Sequence, residues 1–204
     1  LDPLSYHRNE AEFSVGDLEI SYRMHLRAGR ALKAIMEGKV PESTRNLAAY
    51  RLATILLQKN QAVNALHVME RIKGEIPAGY HHDIAFLRGQ IYLATGRFQD
   101  AVKMLQDMQS EKKYAGFTSY NLGIAQIQNN EESAGFNTLD KFGELASNDH
   151  AVLALKDKAN LALAFQYEKK GIAEQAKTYL SRVRLDGPFS NKALLKAGWM
   201  HVSL

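Results

Sequence analysis

The sequence predicts an all-α chain assembled from antiparallel helix pairs, and three linked observations carry that prediction. A small residue recurs at Ala53, Gly89, Gly123, Ala164 and Gly198, at intervals of 36, 34, 41 and 34 residues. A second small residue follows the first four at Ala65, Ala101, Gly135 and Ala176. Between the two stands a residue that tolerates a left-handed helix end, at Asn60, Gly96, Asn130 and Gly171. Two helix backbones approach closely only where side chains are short. A repeat of this period therefore marks one helical hairpin per unit.

The elements follow in order. Residues 1–16 are polar and unpatterned and read as an N-terminal extension. Asp17 can cap a helix in which Leu18, Tyr22, Leu26, Gly29, Leu32 and Ile35–Met36 recur at helical spacing. That helix ends near Gly38, and Pro41 opens the next, where a missing amide hydrogen costs nothing. Helices are expected near 17–38, 41–59, 61–73, 81–95, 98–110, 115–129, 131–146, 149–170, 172–184 and 190–203. The interval of 41 carries seven extra residues, almost two helical turns, which keep the same face inward. Asp149 or Asn148 can cap this longer helix, with Val152, Leu153 and Leu155 extending its apolar face. The extra turns read either as a lengthened packed helix or as a second docking ledge. Residues 191–204 supply one helix without its pair, leaving Leu194, Leu195 and Trp199 uncovered, so this end either continues or meets a partner, including a second copy.

The clearest unit runs from His82 to Val102, with Gly89, Tyr92, Gly96, Phe98 and Ala101 in order. It resembles the tetratricopeptide repeat family, of uncharacterised bacterial type. The resemblance implies a right-handed α-solenoid, the superhelix of that family. On it, residues 17–45 form a helical cap and the repeats fall at about 46–79, 82–115, 116–148 and 149–190, with a partial repeat at 191–204. Pro188 stands where the family usually ends a repeat. Three positions depart from the pattern: Arg88 replaces the usual Leu, and Gln126 and Glu132 stand where Tyr92 and Phe98 stand one repeat earlier. The third repeat is therefore expected to be the least regular.

In this family the first helix of each pair lines the concave surface. Carried over, the implied groove positions are Tyr50 and Thr54, Phe86 and Gln90, Tyr120 and Ile124, then Phe165 and Trp199. Ile127, Lys158, Leu161 and Lys192 are implied beside them. An aromatic thus appears in every row, as suits a peptide or helix docked by apolar contact. The same rings read equally as plugs between neighbouring helices. Chaperone-binding members clamp a terminal carboxylate with Lys, Asn and Arg; here Tyr50, Thr54 and Leu87 occupy corresponding positions, so that clamp is missing. The stretch Leu180–Leu195 is similar to a junction in uncharacterised bacterial repeat proteins thought to be exported, which implies a periplasmic or envelope-associated location rather than a cytoplasmic one.

Composition narrows the function classes. Hydrophobic residues make up 46% and charged residues 24%, ordinary globular values, so disorder is not the default. Net charge is +4, with 1–79 at +2, 80–148 at −2 and 149–204 at +4, too mild for the clustered basic stripe of a nucleic-acid binder. The absence of cysteine removes disulfides, thiolate catalysis and zinc–thiolate sites. No apolar run approaches the roughly 18–20 residues of a membrane span. A signal-peptide pattern is also missing, and a start on Leu1 rather than Met reads as a trimmed mature form. His81-His82-Asp83 is the one cluster that resembles a ligand set, yet adjacent helical residues diverge by about 100° and read as helix-start polar residues. Glu131-Glu132 suits a first turn in the same way. Phosphate-binding loops and nucleophile elbows do not occur.

The expectation is a non-catalytic protein-interaction scaffold without cofactor or metal. It would hold a protein or peptide in its concave groove, in a bacterial envelope assembly, with neither nucleic-acid binding nor membrane insertion. The other reading is a sensory or interaction module of a regulator, its nucleic-acid or catalytic domain lying outside this chain.

Overall fold

Four left-handed residues set the punctuation of the fold. In the computed structural model, which describes residues 25–202, Asn60, Gly96, Asn130 and Gly171 all have positive φ, between 57° and 76°. These are the four positions the repeat marks as turns. Each closes a helix in the same way. The amide of the left-handed residue donates to the carbonyl three residues back, and the next amide donates to the carbonyl five residues back, as in Gly171 to Glu168 at 2.8 Å and Ile172 to Tyr167 at 2.9 Å. This double bond satisfies carbonyls that a helix end would leave open, and it turns the chain back on itself.

The described residues form ten α-helices and no strand, in the α-solenoid class of antiparallel helix pairs. They are α1 (His25–Glu37), α2 (Glu42–Gln58), α3 (Ala62–Met69), α4 (His81–Ala94), α5 (Phe98–Asp107), α6 (Ala115–Gln128), α7 (Glu132–Glu144), α8 (His150–Lys169), α9 (Ala173–Ser181) and α10 (Ser190–Val202). One turn of 3₁₀ helix, Lys112–Tyr114, precedes α6. The chain divides into two compact units, 1–104 and 105–204, with the boundary inside α5. The expected extension over 1–16 and the expected first turns of the opening helix over 17–24 lie outside the described residues.

In the first unit α2 pairs with α3 and packs on α1, around a core of Leu32, Ile35, Ala53, Ala65, Met69 and Ile91. Ala53 and Ala65, the two small repeat positions, are fully buried there. Gly89 and Ala101 are buried in the next pair. In the second unit α6 pairs with α7 and α8 with α9. Here the helix backbones come very close. A Cβ on Gly135 would lie 2.7 Å from the carbonyl oxygen of Gly123 and 2.9 Å from the amide nitrogen of Ile127. Both obstacles are backbone and cannot swing away. The repeat expected to be least regular is thus closely joined, and Gln126 contributes to the joint. Buried in place of an aromatic, its Oε1 accepts a 2.8 Å bond from the Thr138 hydroxyl on the partner helix. A polar pair replaces an aromatic plug at that point.

The long helix α8 starts as expected: Asp149 Oδ1 accepts from the amides of Ala151 at 2.7 Å and Val152 at 3.3 Å. Its additional turns pack, because Val152 and Leu155 lie against the Ile127–Leu139–Phe142 cluster. This is the lengthened helix, not a free ledge.

Three helices stop three or four residues short of the sequence expectation: α5 ends at Asp107, not 110, and two others share a common cause. α3 ends at Met69, not Lys73, and α9 at Ser181, not Arg184. In both cases a buried polar side chain on the preceding first helix captures the segment that follows. Asn46 of α2 donates through Nδ2 to the carbonyls of Lys73 (2.6 Å) and Glu75 (2.7 Å). Asp157 of α8 accepts from the Arg184 amide at 3.1 Å and from its guanidinium at 2.8 Å. Each lies seven residues before its crossing residue, Ala53 or Ala164, and each reaches 27 residues ahead.

Gly135→Ala should lower stability by roughly 1–3 kcal/mol through overpacking against backbone. Gly198→Ala, whose Cβ meets nothing within 4 Å, should leave stability unchanged or slightly raised. Denaturant titration of the two variants decides this, and equal midpoints would contradict the backbone contact described. Asp157→Leu should cost about 1–3 kcal/mol by freeing the Arg184 segment, read as loss of amide protection at Arg184.

Candidate functional site

The candidate positions all sit on the first helices of the pairs, at register points set by helical geometry. Tyr50 and Thr54 on α2, Phe86 and Gln90 on α4, and Tyr120 and Ile124 on α6 are each four residues apart, so each pair shares one face of its helix. Within the first unit α2 touches α4, and within the second α6 touches α8.

In the first unit Tyr50, Thr54, Phe86 and Gln90 are all half-buried. Tyr50 packs on the core and meets Tyr80 edge to face, ring centroids 5.8 Å apart. The Arg51 guanidinium lies 5.7 Å from one ring centre and 5.8 Å from the other. The Thr54 hydroxyl donates to the Tyr50 carbonyl at 2.9 Å, so it serves its own helix first.

In the second unit Tyr120, Ile124 and Phe165 are half-buried against core clusters. Burial pushes the Tyr120 phenol above its ordinary pKa by disfavouring the phenolate. A lysine covers each of these two rings: Lys158 Nζ is 4.9 Å from the Tyr120 centre, and Lys192 and Lys196 are 5.2 and 5.3 Å from that of Phe165. Lys196 also pairs with Glu168 at 2.7 Å. Ammonium over an aromatic face is an attractive arrangement of charge and quadrupole. On α10, Leu194, Leu195 and Trp199 are 56%, 65% and 63% exposed and border an open hollow of about 420 Å³.

Two implied positions do not line any surface. Ile127 and Leu161 are buried in the cores of the second unit, because their side chains fall on the flank of the helix that meets its partner. The lysines over the rings escape a reading of the sequence. Lys158 and Lys192 sit at positions implied as lining, but nothing in their spacing reveals the cation–π contact, and Lys192 and Lys196 reach Phe165 from another helix.

A second aromatic cluster ties the two pairs of this unit together. Tyr167 of α8 stacks on Tyr179 of α9 at 5.3 Å and meets Phe136 of α7 at 5.2 Å. Arg182 lies 4.8 Å from the Tyr179 ring centre and holds Asp140 at 2.6 Å. Burial, with the Asp140 charge added, pushes the Tyr179 phenol up to about 12. His81 and His82 are exposed in the first turn of α4, and among the described residues no three His, Asp or Glu gather as a metal site. No described helix is long and apolar enough to cross a membrane.

Comparison with known proteins gives the following. A family model described as a tetratricopeptide repeat-like domain matches residues 9–116, more than half of the chain. No curated protein matches. Among solved structures, MamA residues 41 to the end from Desulfovibrio magneticus RS-1 superposes with TM-score 0.69 at 15% identity, covering 88% of this chain and 94% of that one. MamA AMB-1 gives 0.62 at 16%, covering 86% and 90%. The putative kinesin light chain with nearly identical TPR-like repeats from Podosopora anserina gives 0.56 at 16%, covering 87% and 97%. At these identities the likeness speaks for the fold.

Tyr179 should titrate near 12, with Tyr120 also displaced upward from its ordinary value. Both phenols are raised on folding, so their contribution is complete below about 10 and is lost as pH climbs through the raised values. Ring-carbon NMR shifts, assigned with Tyr179→Phe and Tyr120→Phe, follow this directly. A Tyr179 signal midpoint near 10 would mean that the stack and the Asp140 contact do not form.

Proposed function

The chain belongs to the tetratricopeptide repeat-like domain family, and we propose that it grips a peptide or a helix of a protein partner through the first helices of its pairs. The family is one of protein-interaction scaffolds, and the chain carries that general role. The finer reading rests on one observation. Every first helix from α2 to α10 presents an aromatic, half-buried or exposed, and amide, hydroxyl or basic groups flank it. It stands three residues before the small crossing residue at Tyr50, Phe86 and Tyr120, and one turn later on the same face, one residue after it, at Phe165 and Trp199. Half-buried rings offer apolar area without the entropy cost of ordering long side chains. The ammonium groups beside Tyr120 and Phe165 favour a partner that sets carboxylates next to apolar side chains. The likeness of Leu180–Leu195 to a junction in exported bacterial repeat proteins supports placing this role in a bacterial envelope assembly.

Selection of short random peptides on the full chain tests the proposal. The enriched peptides should combine aromatic or aliphatic residues with Asp or Glu. Their affinity should fall at least about tenfold, roughly 1.4 kcal/mol, on Phe86→Ala with Tyr120→Ala, with the helical circular-dichroism signal kept. Peptides that bind this variant as well as the parent would remove the first-helix face as the binding surface.

A further inference from the structure

The first unit carries a cleft on another set of residues, and its chemistry is unlike that of the aromatic rows. It is about 470 Å³ in volume and lies among α1, α2 and α3. Its floor is apolar, formed largely by Leu52, Leu56 and Val68, all half-buried. Five basic side chains border it: Arg30 and Lys33 from α1, Lys59 after α2, and His67 and Arg71 at α3. All five are exposed, and no Asp or Glu borders the cleft. Among the described residues none of the five has a carboxylate within ion-pair distance. Positive charge from Arg30 and Lys33 on α1, from Lys59 just after α2 and from Arg71 just after α3 thus borders one apolar trough with no carboxylate partner among the described residues.

We propose that this cleft docks an acidic amphipathic helix from a protein partner. Charge complementarity selects the acid, because the basic border meets no carboxylate among the described residues. The apolar floor selects amphipathicity, since a free anion or a uniformly charged segment would leave Leu52 and Val68 uncovered. Length selects the helix. α3 has eight residues, about 12 Å, which two turns of a helix laid beside it would match. Such a segment seats apolar residues at i, i+3/i+4 and i+7 and carries its carboxylates outward to the border. Gly29 helps keep the trough open: it lines the cleft, and a Cβ there meets only Leu52 Cδ1, at an ordinary contact of 3.7 Å, so a side chain at this position can be accommodated and would take up cleft space.

The test uses the full chain and two fluorescent synthetic helices, one with a leucine stripe flanked by glutamates and its counterpart with glutamines. Anisotropy should show saturable one-to-one binding of the acidic helix, weakened by salt, with the neutral counterpart at least about tenfold weaker. Arg30→Glu with Arg71→Glu should weaken the acidic helix by a similar factor, and so should Gly29→Leu, which changes no charge. Phe86→Ala with Tyr120→Ala should leave this binding untouched, which separates it from the first-helix face. Equal binding to the parent and to Gly29→Leu would overturn the proposal, as would equal binding of the two helices. Retention on anionic phospholipid vesicles without binding of the acidic helix would overturn it in favour of a lipid surface. Residues 1–24 carry five acidic and two basic residues. If the probe binds only after those acids are replaced by amides, the occupant is the chain itself and the proposal falls.

Discussion

The structure depends on how closely two helix backbones approach within each pair. Where Gly135 meets Gly123, the space between backbones is too small even for a methyl group. Where Ala53 meets Ala65 and Ala164 meets Ala176, a methyl fills it completely. Dispersion contacts at such a crossing are numerous because nothing holds the axes apart. The crossing also fixes the register of one helix on the other, and with it the face each turns outward. The candidate aromatics stand where they do because the small residues on the same helices are turned inward.

A second constraint acts at the far ends of two pairs. Asn46 and Asp157, at matching places on α2 and α8, are almost wholly buried, and each holds the backbone that leaves its hairpin. A buried carboxylate is costly unless it is paired and hydrogen-bonded. Asp157 meets that condition through the Arg184 guanidinium, which remains about 30% exposed and so keeps part of its hydration. Gly187 stands against the same carboxylate, where a Cβ would collide with it. These contacts end α3 and α9 early and fix where the chain sets out toward the next helix.

Polar chemistry is unevenly shared between the surfaces the fold leaves open. The aromatic rows pair rings with amides or ammonium groups, a surface that is apolar at its centre and positive at its edges. The cleft among α1, α2 and α3 has the same polarity on a different scaffold, with aliphatic side chains for its floor. Both would suit the proposed ligands, which carry acids beside apolar groups.

The sequence by itself determined the helical hairpins, because turn, crossing and period are local demands. Only Gly or Asn sits comfortably at positive φ, and four of the six such positions among the described residues, Asn60, Gly96, Asn130 and Gly171, were legible as inter-helix turns, while Gly74 and Gly79 in the connection after α3 were not. The Asp149 cap and the long α8 were legible for the same reason. The candidate aromatics were legible as register positions. Whether each ring is open or covered was not, since that depends on groups distant in sequence such as Tyr80 beside Tyr50 and Lys192 over Phe165. Ile127 and Leu161 show the same limit: one step around the helix separates a lining residue from a buried one. The Asn46 and Asp157 contacts span 27 residues, and the basic cleft gathers side chains from three helices. Periodicity reports which face of a helix is apolar, while tertiary structure alone decides which charges converge and which polar groups find a partner inside.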